Sequence, residues 1–280
     1  MAAKKRNWRK ALRIILGILA TLYIGICAFM YFAQESILFH PTVQASNTDW
    51  DLSIKSGEAG IEKVVEELNF PSEEGGMVNA LLFKMDSAKG AILYLHGNGG
   101  NAGICAGGRN RFLGNGWDFF VPDYRGYGKS TGELSQSGMD ADVEAAWNEL
   151  SKRYPANRII IYGQSMGSGF ATRLAAKHRP KLLILEAPYT SLADVASSQY
   201  PWLPVKWLLN YPSESEDFVG SVQSEVVIFH GDEDEVIPYS QGLAMSKAAN
   251  KSKLITLPGQ GHLKVQNHPK FEVSLDSLLR

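Results

Sequence analysis

The chain has 280 residues, 45% hydrophobic and 20% charged, enough for one large domain or two small ones and too mixed for collagen, low-complexity disorder or a disulfide-stapled miniature. Its formal charge of -1 conceals two unlike parts: Lys4, Lys5, Arg6, Arg9, Lys10 and Arg13 precede residue 14 with no acid among them, leaving 22 basic against 29 acidic groups in the rest, a net of -7. An acidic body of that kind excludes nucleic-acid binding through general charge, because phosphate contact needs a basic face.

Residues 1–10 form the basic head, and residues 11–33 follow as an apolar span. Ala11 to Phe32 reads ALRIILGILATLYIGICAFMYF and carries no charge from Ile14 onward. At 1.5 Å per residue this stretch reaches about 33 Å, enough for a hydrocarbon core of about 30 Å. Trp8 flanks its start as an interfacial aromatic would, and Tyr23 and Tyr31 lie inside it. A cleaved signal peptide has the same basic start but a shorter apolar region and small residues before the cut, and CAFMYFA offers no clean A-x-A pattern. The stretch therefore reads as an uncleaved anchor. Six basic residues precede its uncharged part from Ile14 onward and the first after it is Lys55, which places the N-terminus in the cytoplasm and the body outside it. Cys27 in the span and Cys105 in the body cannot staple one another across a membrane.

Residues 34–61 lack sustained periodicity and read as a juxtamembrane connector, partly packed through Ile37, Leu38 and Phe39. From residue 62 to 280 short β-rich runs alternate with helical patterns. Val64–Phe70 and Met77–Phe83 flank the turn-forming PSEEGG and predict an antiparallel hairpin. The runs AILYL (91–95), FFVP (119–122), RIIIY (158–162), LLIL (182–185) and VVIF (226–229) follow, with a shorter one at 254–257. Continuous apolarity is what a strand buried on both faces requires. Helical spacing occupies 139–150, 168–178 and 240–249. The pattern predicts an α/β fold with a mostly parallel sheet, whose chemistry belongs at the carboxyl ends of the strands.

Two pentapeptides match G-x-S-x-G, and context separates them. Gly163-Gln164-Ser165-Met166-Gly167 lies directly between RIIIY and a helical segment, as a nucleophile elbow demands. Gly128-Lys129-Ser130-Thr131-Gly132 follows a loop-like stretch and precedes more Gly and Ser, so it reads as a turn. A serine hydroxyl needs a base to take its proton, and the base needs an acid to fix its tautomer. Past the strand end at VVIF, Asp234 is the preferred acid of the run Asp232 to Glu235, with Asp232 as fallback. His262 in PGQGHLK supplies the base; its competitor His268 precedes Pro269 at a helix start, where a structural role fits better. The oxyanion of a tetrahedral intermediate needs two backbone N–H groups, expected from Met166 and from Asn98 in the glycine-rich HGNGGN.

In this order HGNGGN, DYRGYGKS, GQSMG, HGDEDEVIP and GQGH resemble the α/β-hydrolase superfamily over about residues 62 to 280. With the anchor and QESILFHP, the chain is most similar to the single-pass, membrane-anchored serine hydrolases of α/β-hydrolase-domain type. That group carries serine aminopeptidase and prolyl-oligopeptidase-like labels and includes thioesterases that remove palmitate from proteins. Those thioesterases are held in the cytosol by lipidated N-termini, whereas this chain begins with a span. The resemblance implies an eight-stranded, mostly parallel sheet with its second strand antiparallel. It also implies Ser165, Asp234 and His262 as catalytic residues and Asn98 and Met166 as oxyanion donors.

A short cap is expected at about 188–220, between two strands, where YPWLPVKWLLNYP offers Trp202, Leu203 and Trp207 as substrate-binding residues. This segment reads either as an apolar lid facing an acyl or aryl group or as ordinary packing against the core. No acidic pair is placed to hold a free amine, which favours ester or thioester cleavage over peptide cleavage. The expected partners are a small acyl ester, thioester or lipid substrate and the membrane. No metal or cofactor is expected, since the histidines lack paired ligand spacing and this chemistry needs neither. The alternatives are a serine peptidase acting on short peptides and a catalytically silent, membrane-tethered binding domain.

Overall fold

The computed structural model describes residues 2–50 and 64–280, so Lys55 and the end of the expected connector lie outside the described residues. Eight strands build the central sheet: β1 (Val64–Pro71), β2 (Met77–Lys84), β3 (Ala91–Leu95), β4 (Asp118–Pro122), β5 (Ile159–Gln164), β6 (Leu182–Glu186), β7 (Val226–Gly231) and β8 (Ser252–Leu257). Their order across the sheet is β1-β2-β4-β3-β5-β6-β7-β8, with β2 antiparallel to both neighbours and every other pair parallel. This is the α/β-hydrolase architecture.

Burial on both faces explains the continuous apolar runs. Successive side chains leave a strand on opposite sides. Leu93, Ile161, Leu183 and Ile228 therefore join one core with Trp147, Phe170 and Leu174, while Ile92, Ile160, Ile184 and Val227 join the other with Phe112, Trp117 and Phe271. The first core is covered by α2 (Gln136–Ser151) and α3 (Met166–Lys177). Ser135 caps α2 by accepting the Gly138 N–H at 3.0 Å, and the buried Arg125–Asp142 pair at 2.9 Å ties this helix to the loop after β4. The second core is covered partly by the C-terminal helix Pro269–Leu279, where His268 caps the first turn by accepting the Lys270 N–H.

Some boundaries differ from expectation. β8 begins at Ser252 rather than Leu254, because it is an edge strand whose outer residues are half-exposed and need no apolar run. The N-terminal helix α1 runs from Ala2 to Leu38, past the polar residues Gln34, Glu35 and Ser36. Those polar groups are satisfied elsewhere. Gln34 Oε1 accepts from the Asn210 N–H at 2.7 Å, its amide donates to the Leu208 carbonyl, and Glu35 accepts from the Tyr211 hydroxyl at 2.7 Å. From Trp8 to Leu38 the helix is long and apolar enough to cross a membrane, and its apolar stretch is exposed. Just beyond it, His40–Pro41 pairs in parallel with Gly99–Gly100, wiring the end of α1 into the loop that follows β3.

Candidate active site

The site forms where β5 ends and α3 begins. Ser165 occupies the corner with φ 50 and ψ -119, a region that non-glycine residues rarely adopt. Such strain persists only where the surroundings enforce it. Here the two flanking glycines permit the turn. A Cβ at Gly163 would stand 2.5 Å from the Ala171 Cβ, and one at Gly167 would stand 2.1 Å from the Leu95 carbonyl oxygen. The Ser165 N–H donates to the Glu186 carbonyl at 2.8 Å and anchors the corner to β6. The helix starts at Met166, two residues before its expected onset, so the turn is as tight as a strand-to-helix connection allows.

Three loops from separate strand ends bring the expected triad together. Ser165 Oγ lies 3.0 Å from His262 Nε2, and His262 Nδ1 lies 2.8 Å from Asp234 Oδ2. The second carboxylate oxygen of Asp234 accepts the N–H groups of Val236 at 2.9 Å and Ile237 at 2.8 Å. Burial opposes ionisation of Asp234, but hydrogen bonds from His230 and His262, the charge of His262 and the Ile237 N–H outweigh it, holding the carboxyl well below the usual carboxylate range. An ionised Asp234 favours the imidazole tautomer that carries its proton on Nδ1, which leaves Nε2 able to accept from the serine hydroxyl. Asp232 is elsewhere: it is exposed and accepts the Gly259 N–H at 2.7 Å, pinning the histidine loop.

Asn98 and Met166 line the same cavity as Ser165 and His262, and among the described residues neither backbone N–H has a hydrogen-bond partner. The rest of Asn98 is tightly held. Its carbonyl accepts from the His40 N–H and the Tyr127 hydroxyl, each at 2.9 Å, and its side-chain amide donates to the Leu38 carbonyl at 3.0 Å. Backbone N–H groups without a partner are the kind of donor that can stabilise negative charge on an oxygen.

The second G-x-S-x-G serves the fold. Ser130 is buried, accepts the Asn79 N–H and donates to the Asp123 carbonyl, both at 2.8 Å, joining β2 to the loop after β4. Burial and the nearby Asp123 push the Cys105 thiol up to about 12, so it is no rival nucleophile at neutral pH. Among the described residues no cluster of three or more His, Cys, Asp or Glu is arranged to hold a metal.

Above Ser165 lies a cavity of about 510 Å³ lined mostly by apolar side chains. Between β6 and β7, helices α4 (Leu192–Gln199) and α5 (Val205–Leu208) form a short cap over it. Of the three cap residues expected to bind substrate, Leu203 lines this cavity, whereas Trp202 and Trp207 are 53% and 89% exposed and lie outside its lining. The turn at Tyr200–Pro204 and the single turn of α5 direct Leu203, Val205, Leu208 and Leu209 inward, which leaves the two tryptophans on the outer side. Another part of the wall comes from α1 through Met30, Gln34, Ile37 and Leu38.

One further group sits behind the site. Glu186, at the end of β6, is fully buried and accepts from the Tyr162 hydroxyl, from Gln164 at 3.2 Å and from Gln266 at 2.7 Å. Burial raises its pKa against the lowering effect of those donors. Gln266 belongs to the 3-10 turn His262–Asn267, so this cluster ties the histidine loop to the sheet. Its members are scattered polar residues in the sequence, and no spacing signals them.

The family described as serine aminopeptidase, S33, matches residues 86–212, a stretch that includes Ser165 and stops before Asp234. An uncharacterised Mycobacterium tuberculosis protein is 30% identical over 276 residues, covering 95% of this chain and 93% of its own length. The α/β-hydrolase domain-containing protein 17C of Xenopus tropicalis is 31% identical over 81% of this chain and 72% of its own, and the human protein 17B is 30% identical over 81% and 77%. Among solved structures, a Pyrococcus furiosus esterase superposes with a TM-score of 0.64 at 17% identity, covering 86% of this chain and 96% of its own. At that identity the likeness concerns the fold alone.

Proposed function

The chain belongs to the α/β-hydrolase domain-containing family, and on that premise we propose that it is a membrane-anchored serine hydrolase cleaving ester or thioester bonds of acyl groups. The observation that carries this reading is the unbroken relay from Ser165 Oγ through His262 to Asp234, beside two unpartnered N–H groups and beneath an apolar cavity. In the proposed reaction His262 Nε2 takes the Ser165 proton as Oγ attacks the acyl carbonyl. The Asn98 and Met166 N–H groups hold the resulting oxyanion. Collapse expels the alcohol or thiol, protonated by His262, and leaves an acyl group on Ser165. Water, deprotonated by the same imidazole, then releases the acid.

Ester or thioester cleavage is preferred to removal of an N-terminal amino acid because a free ammonium group needs a carboxylate partner. Among the described residues no Asp or Glu lines the cavity. The basic head and the apolar helix support an anchor with its N-terminus in the cytoplasm and the hydrolase body on the other side.

The test is a panel of p-nitrophenyl esters from acetate to palmitate, run beside aminoacyl anilides on the wild type and on Ser165→Ala. The wild type should cleave esters in preference to anilides, and the variant should lose turnover by about 10⁴ to 10⁶ with its fold intact. Ester hydrolysis retained by Ser165→Ala would sink the assignment.

A further inference from the structure

The cavity over Ser165 is closed on one side by the anchor itself. Met30 lies inside the apolar stretch 11–33 of α1 and lines the cavity together with Ile37 of the same helix. The cap follows the helix still deeper: the Tyr23 hydroxyl donates to the Trp202 carbonyl at 2.9 Å. Any window of about 20 residues that crosses a bilayer within this stretch contains Tyr23, at least about 10 Å inside its outer end. A phenol at that depth requires a partner, since an unpaired hydroxyl in hydrocarbon is costly. The cap backbone provides one.

The cap's composition matches that depth. From Tyr200 to Leu209 it carries a single charge, Lys206, whose ammonium pairs with Asp194 at 3.2 Å. Its outward side chains, Trp202 and Trp207, are large aromatic rings that gain from leaving water for lipid. Beside His262, Leu263 lines the cavity while remaining 88% exposed, so the rim is apolar as well. The cap cannot withdraw freely from α1, because Gln34 and Glu35 hold Leu208, Asn210 and Tyr211.

We infer that the cap segment Tyr200–Leu209 sits in the bilayer leaflet on the body's side of the span, and that the cavity takes the acyl chain of a membrane-resident amphiphilic ester directly from that leaflet, between α1 and the cap. This rests on the proposed hydrolase function and narrows its substrate class to esters whose chains lie in the membrane. The carbonyl then reaches Ser165 while the chain stays in apolar surroundings throughout, and its desolvation is complete before binding.

The full chain, reconstituted in phosphatidylcholine vesicles, provides two independent measurements. First, an environment-sensitive fluorophore is attached to Trp207→Cys, with Cys27→Ala and Cys105→Ala removing the native thiols. The label at position 207 should emit as in hydrocarbon and resist iodide quenching, whereas the same label on Lys152→Cys should be quenched freely. Second, Trp207→Glu should lower hydrolysis of p-nitrophenyl palmitate held in the vesicles by about tenfold, leaving hydrolysis of p-nitrophenyl acetate from water unchanged. A label at 207 as quenchable as that at 152, or parallel changes on both esters, overturns the inference. A wild type that cleaves neither ester overturns the hydrolase reading and ester uptake with it, while the label still decides separately where the cap lies.

Discussion

The Asp234 carboxylate stands between two histidines: its Oδ2 lies 2.8 Å from His262 and 3.4 Å from His230 Nε2. His230 is fully buried on β7 and its Nε2 also faces the Ile237 carbonyl at 2.9 Å. The acid is thereby held in its loop from both sides.

Asp234→Asn should leave the geometry nearly intact and lower turnover by about 10³ to 10⁴, because an amide no longer selects the required histidine tautomer or stabilises its positive charge. Single-turnover kinetics on p-nitrophenyl acetate check this.

The same substitution has a pH-dependent effect on stability. The folded Asp234 carboxyl is held below the unfolded value of about 3.9, so its contribution is full at neutral pH and is lost as the pH falls below about 4 and through the folded value. The difference in Tm between wild type and Asp234→Asn should match at pH 7 and pH 5.5 and narrow from about pH 4 downward. Circular-dichroism melts across that range provide the comparison, and a difference that grows toward low pH contradicts the assignment of the charge.

Gly167→Ala should destabilise the fold by about 1–3 kcal/mol, since its Cβ would meet the Leu95 carbonyl at 2.1 Å, and backbone on both sides resists movement. Gly107→Ala is the control: nothing stands within 4 Å, and its stability should change by less than about 0.5 kcal/mol. Denaturant midpoints for the two variants measure the contrast.

Gln266→Leu should lower kcat by about tenfold while changing KM little. Gln266 touches neither Ser165 nor the cavity and acts by tying the His262 turn to buried Glu186. An equal loss in KM would show that the residue shapes the cavity instead of the histidine loop.

The sharp turn at Ser165 and the meeting of Ser165, His262 and Asp234 are legible because steric and topological rules act locally. A strand, two glycines and a helix around Ser165 have few other uses, and Asp234 and His262 follow the ends of β7 and β8. Position in the loop favours Asp234 over Asp232 in the sequence, and in the structure Asp232 turns out to meet Gly259 while Asp234 turns in to His262. The outward placement of the two tryptophans is not legible in the sequence, because large apolar residues in a cap satisfy a pocket and an interface equally well, and only the fold decides which side they face. The contribution of α1 was hidden for a different reason. Gln34 and Glu35 interrupt the apolar pattern, and their partners at 208–211 lie far away in sequence.

Reaction of the folded protein with a fluorophosphonate probe, followed by mass spectrometry of the labelled peptide, tests the central claim most directly. The account predicts stoichiometric labelling at Ser165, much slower labelling in His262→Ala and none in Ser165→Ala. A folded wild type that stays unlabelled, or carries the label on another residue, would contradict it.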